Sequence, residues 1–403
     1  MKQNRIFPHI TVTAKQERSI RHGHPWIYAD EITEASENIE NGAFTDVFGH
    51  KNNYLGTGFY SEHSKIRVRL LSNNANETYN DAFFERKVKY ALAYRKDVMK
   101  DDFNDCRLIH GESDGLPGLT VDRYNDILVS EVESYGTELH KDVIYQALLS
   151  QLSDMGETIH GIYERNEGEL RKKEGLEQYK GWYGNNHPAS CITEICENGI
   201  CYNVDVENGQ KTGFFLDQKY NRKAVARLAA GRHVLDCCTH TGSFALNAAK
   251  GGAASVLAMD ISESALQMAE ENAKRNNLSI SLRQGDVFEV LPALKKEHAF
   301  FDFIILDPPA FTKSRRTFHN AKKGYEEINA DAMRLLPRGG YLATASCSHF
   351  MPKEEFESML VDAANDAGVG IRIIEQRGAA FDHPVMPAVP ETEYLKFFLL
   401  QII

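Results

Sequence analysis

The order of apolar and polar positions changes character twice along the chain. Over the first 72 residues, extended runs such as Ala43-Phe44-Thr45-Asp46-Val47 and Leu55-Gly56-Thr57-Gly58-Phe59-Tyr60 are separated by glycine turns at Gly23, Gly42 and Gly49. Turn signals at that spacing predict a small β-barrel. A polar connector, Asn73-Asn74-Ala75-Asn76, leads into a stretch where Phe84, Val88, Ala91 and Leu92 recur at helical spacing, predicting a helix over 81–99. A Gly/Pro turn at 111–118, a strand over 127–132, a helix over 141–152 and a strand over 159–163 then form a small α/β segment. From residue 192 strands alternate with helices, the pattern of a doubly wound parallel sheet. Strands are predicted at 234–236, 256–260, 303–306 and 341–345, and helices at 242–250 and 264–276, the latter capped by Ser262. Phe303-Ile304-Ile305-Leu306 is continuously apolar, as a central strand buried on both faces must be. The last two strands, 371–375 and 394–402, have no long helix between them and predict an antiparallel pair. Three domains follow: 1–75, 76–188 and 189–403.

Composition narrows the class. Apolar residues at 42% and charged residues at 26% exclude a collagen-like, disulfide-rich or wholly disordered chain. No apolar stretch approaches the ~18 residues of a membrane helix. The segment Met1-Lys2-Gln3-Asn4-Arg5 leads into no signal-peptide core, so a cytoplasmic location is expected, with no membrane partner. Cys191, Cys196 and Cys201 recur every five residues, but in an extended run with no histidine cluster. They read as half-buried thiols rather than metal ligands, and no metal is expected. The net charge of −11 argues against a general nucleic-acid coat protein but not against a local RNA site. Residues 1–75 carry nine Lys/Arg and eight acids, five of the acids between Asp30 and Glu40, which leaves the surrounding surface basic. Lys65, Arg67 and Arg69 alternate with apolar residues and on a strand share one face, either solvated or in contact with phosphate.

Polar residues gather where the α/β strands end, which is where open sheets of this kind bind ligands. After the first strand comes Asp236-Cys237-Cys238-Thr239-His240-Thr241-Gly242-Ser243, after the second Asp260-Ile261-Ser262, and after the third Asp286-Val287-Phe288. Asp260 suits the two hydroxyls of a ribose, and Asp286 with Phe288 suits an adenine. The first turn has no G-x-G-x-x-G and the chain no G-x-x-x-x-G-K-[ST], so a dinucleotide or triphosphate is disfavoured. An acid opening that loop repels phosphate and suits the sulfonium and amino groups of S-adenosylmethionine. Asp307-Pro308-Pro309-Ala310-Phe311 follows the central strand, where a carboxylate on a rigid backbone can grip a base edge. Lys313, Arg315, Arg316, Lys322 and Lys323 follow without an intervening acid and read as a phosphate track. Cys347, between Ser346 and Ser348, stands at the same sheet edge, where a nucleophile needs access.

These residues carry a resemblance over essentially the whole chain. It resembles the bacterial large-subunit ribosomal RNA cytosine-C5 methyltransferases with an N-terminal PUA RNA-binding domain. The matching segments are His22-Gly23-His24-Pro25-Trp26-Ile27-Tyr28, Gly111-Glu112-Ser113-Asp114-Gly115-Leu116-Pro117-Gly118 with Asp122-Arg123, and Arg171-Lys172-Lys173-Glu174-Gly175. Further along come Lys211-Thr212-Gly213-Phe214-Phe215-Leu216-Asp217-Gln218, Thr241-Gly242-Ser243-Phe244, Asp307-Pro308-Pro309, Ser346-Cys347-Ser348 and Asp382-His383-Pro384-Val385. The resemblance implies a PUA-like domain, a central α/β domain and a class I methyltransferase domain. It implies that Phe215, Leu216, Asp217, Gln218, Asp236, Cys237, Cys238, Thr241, Gly242, Asp260, Ile261, Ser262, Asp286, Val287 and Asp307 surround S-adenosylmethionine.

The same resemblance makes Cys347 the nucleophile, with Asp307 at the base. The first turn is poorer in glycine than most such loops, and Asp307-Pro308-Pro309-Ala310 lacks the second cysteine of other RNA cytosine-C5 enzymes. Ribosomal RNA is the expected partner, through Lys65, Arg67, Arg69, Lys313, Arg315 and Arg316, and self-association as a homodimer is left open. Two alternatives stand beside this reading: an RNA nucleobase N-methyltransferase using the Asp-Pro-Pro edge, and a non-catalytic RNA-binding or assembly factor on the same scaffold.

Overall fold

The computed structural model describes residues 6–312 and 315–403, with the side chain of Arg315 excepted. The chain groups into two compact units. One comprises 1–195, 203–216 and 381–392; the other comprises 196–202, 217–380 and 393–403.

The first unit holds two sheets. The six-stranded one runs from His9–Val12 to Ile66–Ser72 and closes over Ile10, Val12, Ile27, Val47 and Val68, all fully buried. The helix Ala14–Arg21 packs with this sheet, capped by the Thr13 side chain; the glycine-punctuated pattern suggests strands and turns alone. The second sheet has five strands, from Asp105–His110 to Tyr179–Trp182. It packs with the helices Asp81–Met99 and Tyr135–Asp154. Asn80 caps the first of these through the Phe83 amide, and Phe84, Val88, Ala91 and Leu92 form its buried stripe. The late segment 381–392 belongs here because fully buried Arg95 donates to the Asp382 carbonyl (3.0 Å). The Asp382 carboxylate in turn accepts from the Arg107 amide (2.7 Å).

The second unit is built on a seven-stranded sheet. Its strands are β1 (His233–Cys237), β2 (Ser255–Asp260), β3 (Ser281–Gln284), β4 (Phe303–Leu306), β5 (Tyr341–Ser346), β6 (Ile371–Arg377) and β7 (Lys396–Ile402). Their order is β3-β2-β1-β4-β5-β7-β6. The first five in that order are parallel, and β7 runs antiparallel between β5 and β6, the expected terminal pair. Alternation divides the core. Leu235, Ile304, Leu342 and Phe398 pack on one face with the helices Val287–Lys296, Phe318–Leu335 and Lys353–Ala367. Val234, Phe303, Ile305 and Ala343 pack on the other with Phe244 and Val225. This is the class I methyltransferase arrangement. Among the described residues no helix is long and apolar enough to cross a membrane.

One cysteine expectation is corrected. Asn198-Gly199 turns the chain so that Cys196 and Cys201 face each other across a hairpin, Cα atoms 4.2 Å apart, and they form a disulfide. Cys191 is not part of it.

Candidate active site

Strand register brings the acids together. Asp236 of β1 pairs with Ala258 of β2 and Ile305 of β4, so Asp260 and Asp307 lie two residues further along the adjacent strands. Asp260 pairs with Gln284, which sets Asp286 two residues beyond the next strand position. The loop after β1 turns through three left-handed residues, Cys238 (φ 61°), His240 (φ 51°) and Gly242 (φ 84°). Side chains hold what glycine would otherwise permit. Asp260 Oδ2 accepts from the His240 amide (2.8 Å), while Asp236 Oδ2 accepts from Thr239 Oγ1 (2.5 Å) and the Ala245 amide (2.8 Å). That is how a loop poor in glycine makes this turn.

The charge of the site follows from burial. Burial pushes the Cys238 thiol up, and the charges of Asp260, Asp307, Asp236 and Asp286 add to it, so all four acids converge on one position. Burial likewise raises Asp236 to about 7, with Asp307 and Asp260 contributing. Asp236 Oδ1 and Thr241 Oγ1 are buried without a hydrogen-bond partner among the described residues. An unsatisfied buried acceptor costs roughly 1–3 kcal/mol, so a donor-bearing ligand at this turn gains what the chain leaves open. A cationic ligand with an amino group and ribose hydroxyls fits this donor-poor, acid-rich edge, and S-adenosylmethionine is such a ligand.

The remaining acids also serve the chain. Asp260 Oδ1 accepts from the Ser262 amide (2.9 Å), and Ser262 caps the helix Glu263–Arg275. Asp286 caps Val287–Lys296 through the Phe288 amide (2.9 Å). Ile261 is 66% exposed beside them. The side chains of Cys237 and Val287 lie in the apolar core rather than on the ligand edge, because their strand and helix positions face inward. Phe215 and Leu216 group with the first unit, where Lys211 Nζ stands 4.5 Å from the Phe215 ring centre. Asp217 groups with the second and accepts from Tyr394 Oη (2.6 Å).

Asp307 is held from the side. Gln218 Nε2 donates to its carboxylate (3.0 Å), Asn221 Nδ2 donates to Gln218 Oε1 (2.6 Å), and Arg377 Nε donates to Asn221 Oδ1 (3.1 Å). Gln218 thus orients Asp307. Cys347 is partly exposed immediately beyond β5, the strand hydrogen-bonded to β4, so thiol and carboxylate share the sheet's carboxyl edge. Below them, the Phe311 ring packs on Tyr325 (centres 4.5 Å apart) and Ser348 Oγ donates to the Thr312 carbonyl.

The RNA candidates divide. Lys65 and Arg316 are exposed. Lys313 and the side chain of Arg315 lie outside the described residues. Arg67 donates to the carbonyls of Ser61 and Glu62 and lies over the Tyr60 ring. Arg69 is corrected: at 12% side-chain exposure it pairs with Glu112 (3.0 Å) and Glu174 (3.2 Å) and stacks on Trp26. Its strand face packs against the central segment instead of meeting solvent. Trp26 Nε1 also donates to Glu112 (2.8 Å), so three of the motifs noted in the sequence meet at one internal junction. Lys322 is paired with Glu355. Sequence reasoning missed Asn221, Tyr325 and Lys396 as neighbours of the site. Only Lys396 carried a visible signal, a cation inside Leu395-Lys396-Phe397-Phe398-Leu399-Leu400.

Comparison with known proteins bears on this geometry. Residues 10–73 match the PUA-like domain family, and residues 181–396 match the S-adenosylmethionine-dependent methyltransferase family. A protein of Pseudoalteromonas atlantica named ribosomal RNA large subunit methyltransferase I is 39% identical over 98% of this chain and 99% of its own length. A protein of the same name from Shewanella frigidimarina is 40% identical over 96% and 97%. A solved structure described as an S-adenosylmethionine-dependent methyltransferase from Streptococcus mutans superposes with a TM-score of 0.81 at 22% identity. It covers 98% of this chain and 100% of that one, a likeness of fold.

Proposed function

The chain belongs to the S-adenosylmethionine-dependent methyltransferases that carry an N-terminal PUA-like domain, and on that premise we propose that it methylates carbon 5 of a cytosine in large-subunit ribosomal RNA. The relatives named for large-subunit ribosomal RNA support the substrate class. The observation that carries the reaction is the position of Cys347, a partly exposed thiol sharing one sheet edge with Asp307 and the acid cluster. In this reading the acids Asp236, Asp260 and Asp286 hold the cofactor, and Thr241 and Gly242 line its turn. Residues 1–75 grip RNA, 76–188 form a spacer domain and 189–403 carry the chemistry. The cytoplasm, where ribosomal RNA is assembled, is then the place of action.

Bound S-adenosylmethionine would supply an electrophilic methyl group. Carbon 5 of cytosine is a poor nucleophile. Cys347 overcomes this by adding its thiolate to carbon 6, which turns the C5–C6 electron pair toward the methyl group. Asp307, oriented by Gln218, is the acid that in its protonated form would donate to ring N3 and offset the negative charge that thiolate addition puts on the base. Transfer of the carbon-5 proton to solvent water then returns its electron pair to the ring, which expels the Cys347 sulfur as thiolate and restores the C5–C6 double bond.

The test is methylation of protein-free large-subunit ribosomal RNA with radiolabelled cofactor, followed by digestion to nucleosides. Label in 5-methylcytidine supports the reading. Label on an exocyclic nitrogen favours the N-methyltransferase, and no label with intact cofactor binding favours a non-catalytic factor.

A further inference from the structure

Lys396 has no part in the chemistry set out above, yet it is a lysine at 3% exposure at the head of β7, where Phe397-Phe398-Leu399-Leu400 follow it. The antiparallel register sets it opposite Ser346, the residue before Cys347. Its Nζ donates to the carbonyl of Ser348 (2.5 Å), the residue after Cys347, and to that of Tyr394 (2.7 Å). The amine is therefore tied to the residue that follows the thiol and to the approach of its own strand, with both N–H donors of a neutral amine used. Among the described residues no carboxylate forms an ion pair with it, and a buried cation without one is costly. Burial lowers Lys396 to about 8, while the charges of Cys347 and Glu393 push the other way. Among the described residues, Tyr325, Asp307 and Glu393 also bring titratable groups to this corner. Tyr325, from the helix Phe318–Leu335, is raised to about 12 by burial and stays neutral, its hydroxyl accepting from Ser346 Oγ. Asp307 approaches from β4 and Glu393 from the segment before β7.

We propose that Lys396 takes the proton of Cys347 and holds the resulting thiolate as an ammonium–thiolate pair, which makes it the positioning residue of the nucleophile. The S–H bond breaks, its electron pair stays on sulfur, and the proton goes to the neutral Nζ. No further reactant is needed. Hydrogen bonds from the ammonium to the Ser348 and Tyr394 carbonyls hold the cation beside the thiolate it has formed. Addition of the sulfur to carbon 6 leaves the ammonium in place, ready to receive the thiolate again when it is eliminated. This inference rests on the reading of Cys347 as nucleophile.

The experiment follows carbamidomethylation of Cys347 by iodoacetamide, read by peptide mass spectrometry between pH 6 and 10, in the full-length protein and in Lys396→Met and Lys396→Arg. The parent is expected to react at neutral pH. Lys396→Met should react ~10-fold more slowly at pH 7, its profile displaced upward by about one pH unit. Lys396→Arg, which keeps a cation, should recover most of the neutral-pH rate. Methyl transfer by Lys396→Met should fall at pH 7 and recover toward pH 9, with S-adenosylhomocysteine affinity unchanged. Superimposable alkylation profiles in parent and Lys396→Met overturn the proposal. If Lys396→Met does not fold, an ordinary thiol profile in the parent overturns it equally. A Cys347→Ala variant that still methylates carbon 5 overturns the underlying reading instead, whereas an inactive Cys347→Ala together with superimposable alkylation profiles for the parent and Lys396→Met removes the lysine's role alone.

Discussion

Replacing Asp236 with asparagine should stabilise the cofactor-free protein while weakening its hold on the cofactor. Asp236 is fully buried, one oxygen satisfied by Thr239 and the Ala245 amide and the other left open. Burial raises it from the ordinary 3.8 to about 7. Between those values the folded protein keeps a proton that the unfolded chain has released. This carboxyl therefore subtracts stability progressively as pH rises from about 4 to about 7, and the penalty is complete above that. The whole gap corresponds to about 4 kcal/mol. Asparagine has the same shape, its carbonyl can accept both hydrogen bonds, and it has no charge to desolvate. Its advantage over the parent should widen by about 2–3 kcal/mol between pH 5 and pH 8. Parallel denaturant or thermal melts of the two proteins at each pH measure this, and calorimetry of S-adenosylmethionine should show a Kd about 10-fold weaker, from the lost charge at the cationic ligand. A difference in stability that is the same at pH 5 and pH 8 would refute the reasoning, because it would mean that Asp236 is ionised throughout.

Asp260→Ala should weaken S-adenosylmethionine by roughly 1–3 kcal/mol in titration calorimetry, since the carboxylate is lost both to a ribose and to the His240 amide that fixes the loop. Unchanged affinity would remove it from the site. Arg69→Met should lower stability by about 3–5 kcal/mol, because buried Glu174 is left without its cation and half-buried Glu112 keeps only its bond from Trp26. Its effect on the salt dependence of RNA binding should be nil, and a flattened slope would return Arg69 to the RNA face. Lys65→Met and Arg316→Met, both at exposed positions, should each reduce that slope by about one and leave melting unchanged.

Much of this was legible from local pattern. Phe303–Leu306 could only be a central strand, and the helix over Asp81–Met99 follows from the spacing of Phe84, Val88, Ala91 and Leu92. The four acids were visible as strand ends, because in a parallel sheet every strand delivers its carboxyl end to the same edge. What sequence left open was decided by partners distant along the chain. The alternation of Lys65, Arg67 and Arg69 defines a face but not what covers it, and Glu112 and Glu174 cover Arg69. The spacing of Cys196 and Cys201 defines a disulfide only once a hairpin register sets them opposite. Gln218 reads as a ligand contact in the sequence, and only the fold shows that its amide donates to Asp307, 89 residues away. Lys396 reaches Cys347 only through the antiparallel pairing of β7 with β5.

The central claim, that the Cys347 thiol adds to carbon 6 of the target cytosine, meets its most direct test in RNA carrying 5-fluorocytidine at that position. Fluorine cannot leave as a cation, so after methyl transfer the sulfur cannot be eliminated. The account predicts a protein–RNA adduct that survives denaturing electrophoresis, requires S-adenosylmethionine, maps to Cys347 by peptide mass spectrometry and vanishes in Cys347→Ala but not in Cys238→Ala. Cys347→Ala that still forms 5-methylcytidine, or an adduct on another residue, would contradict it.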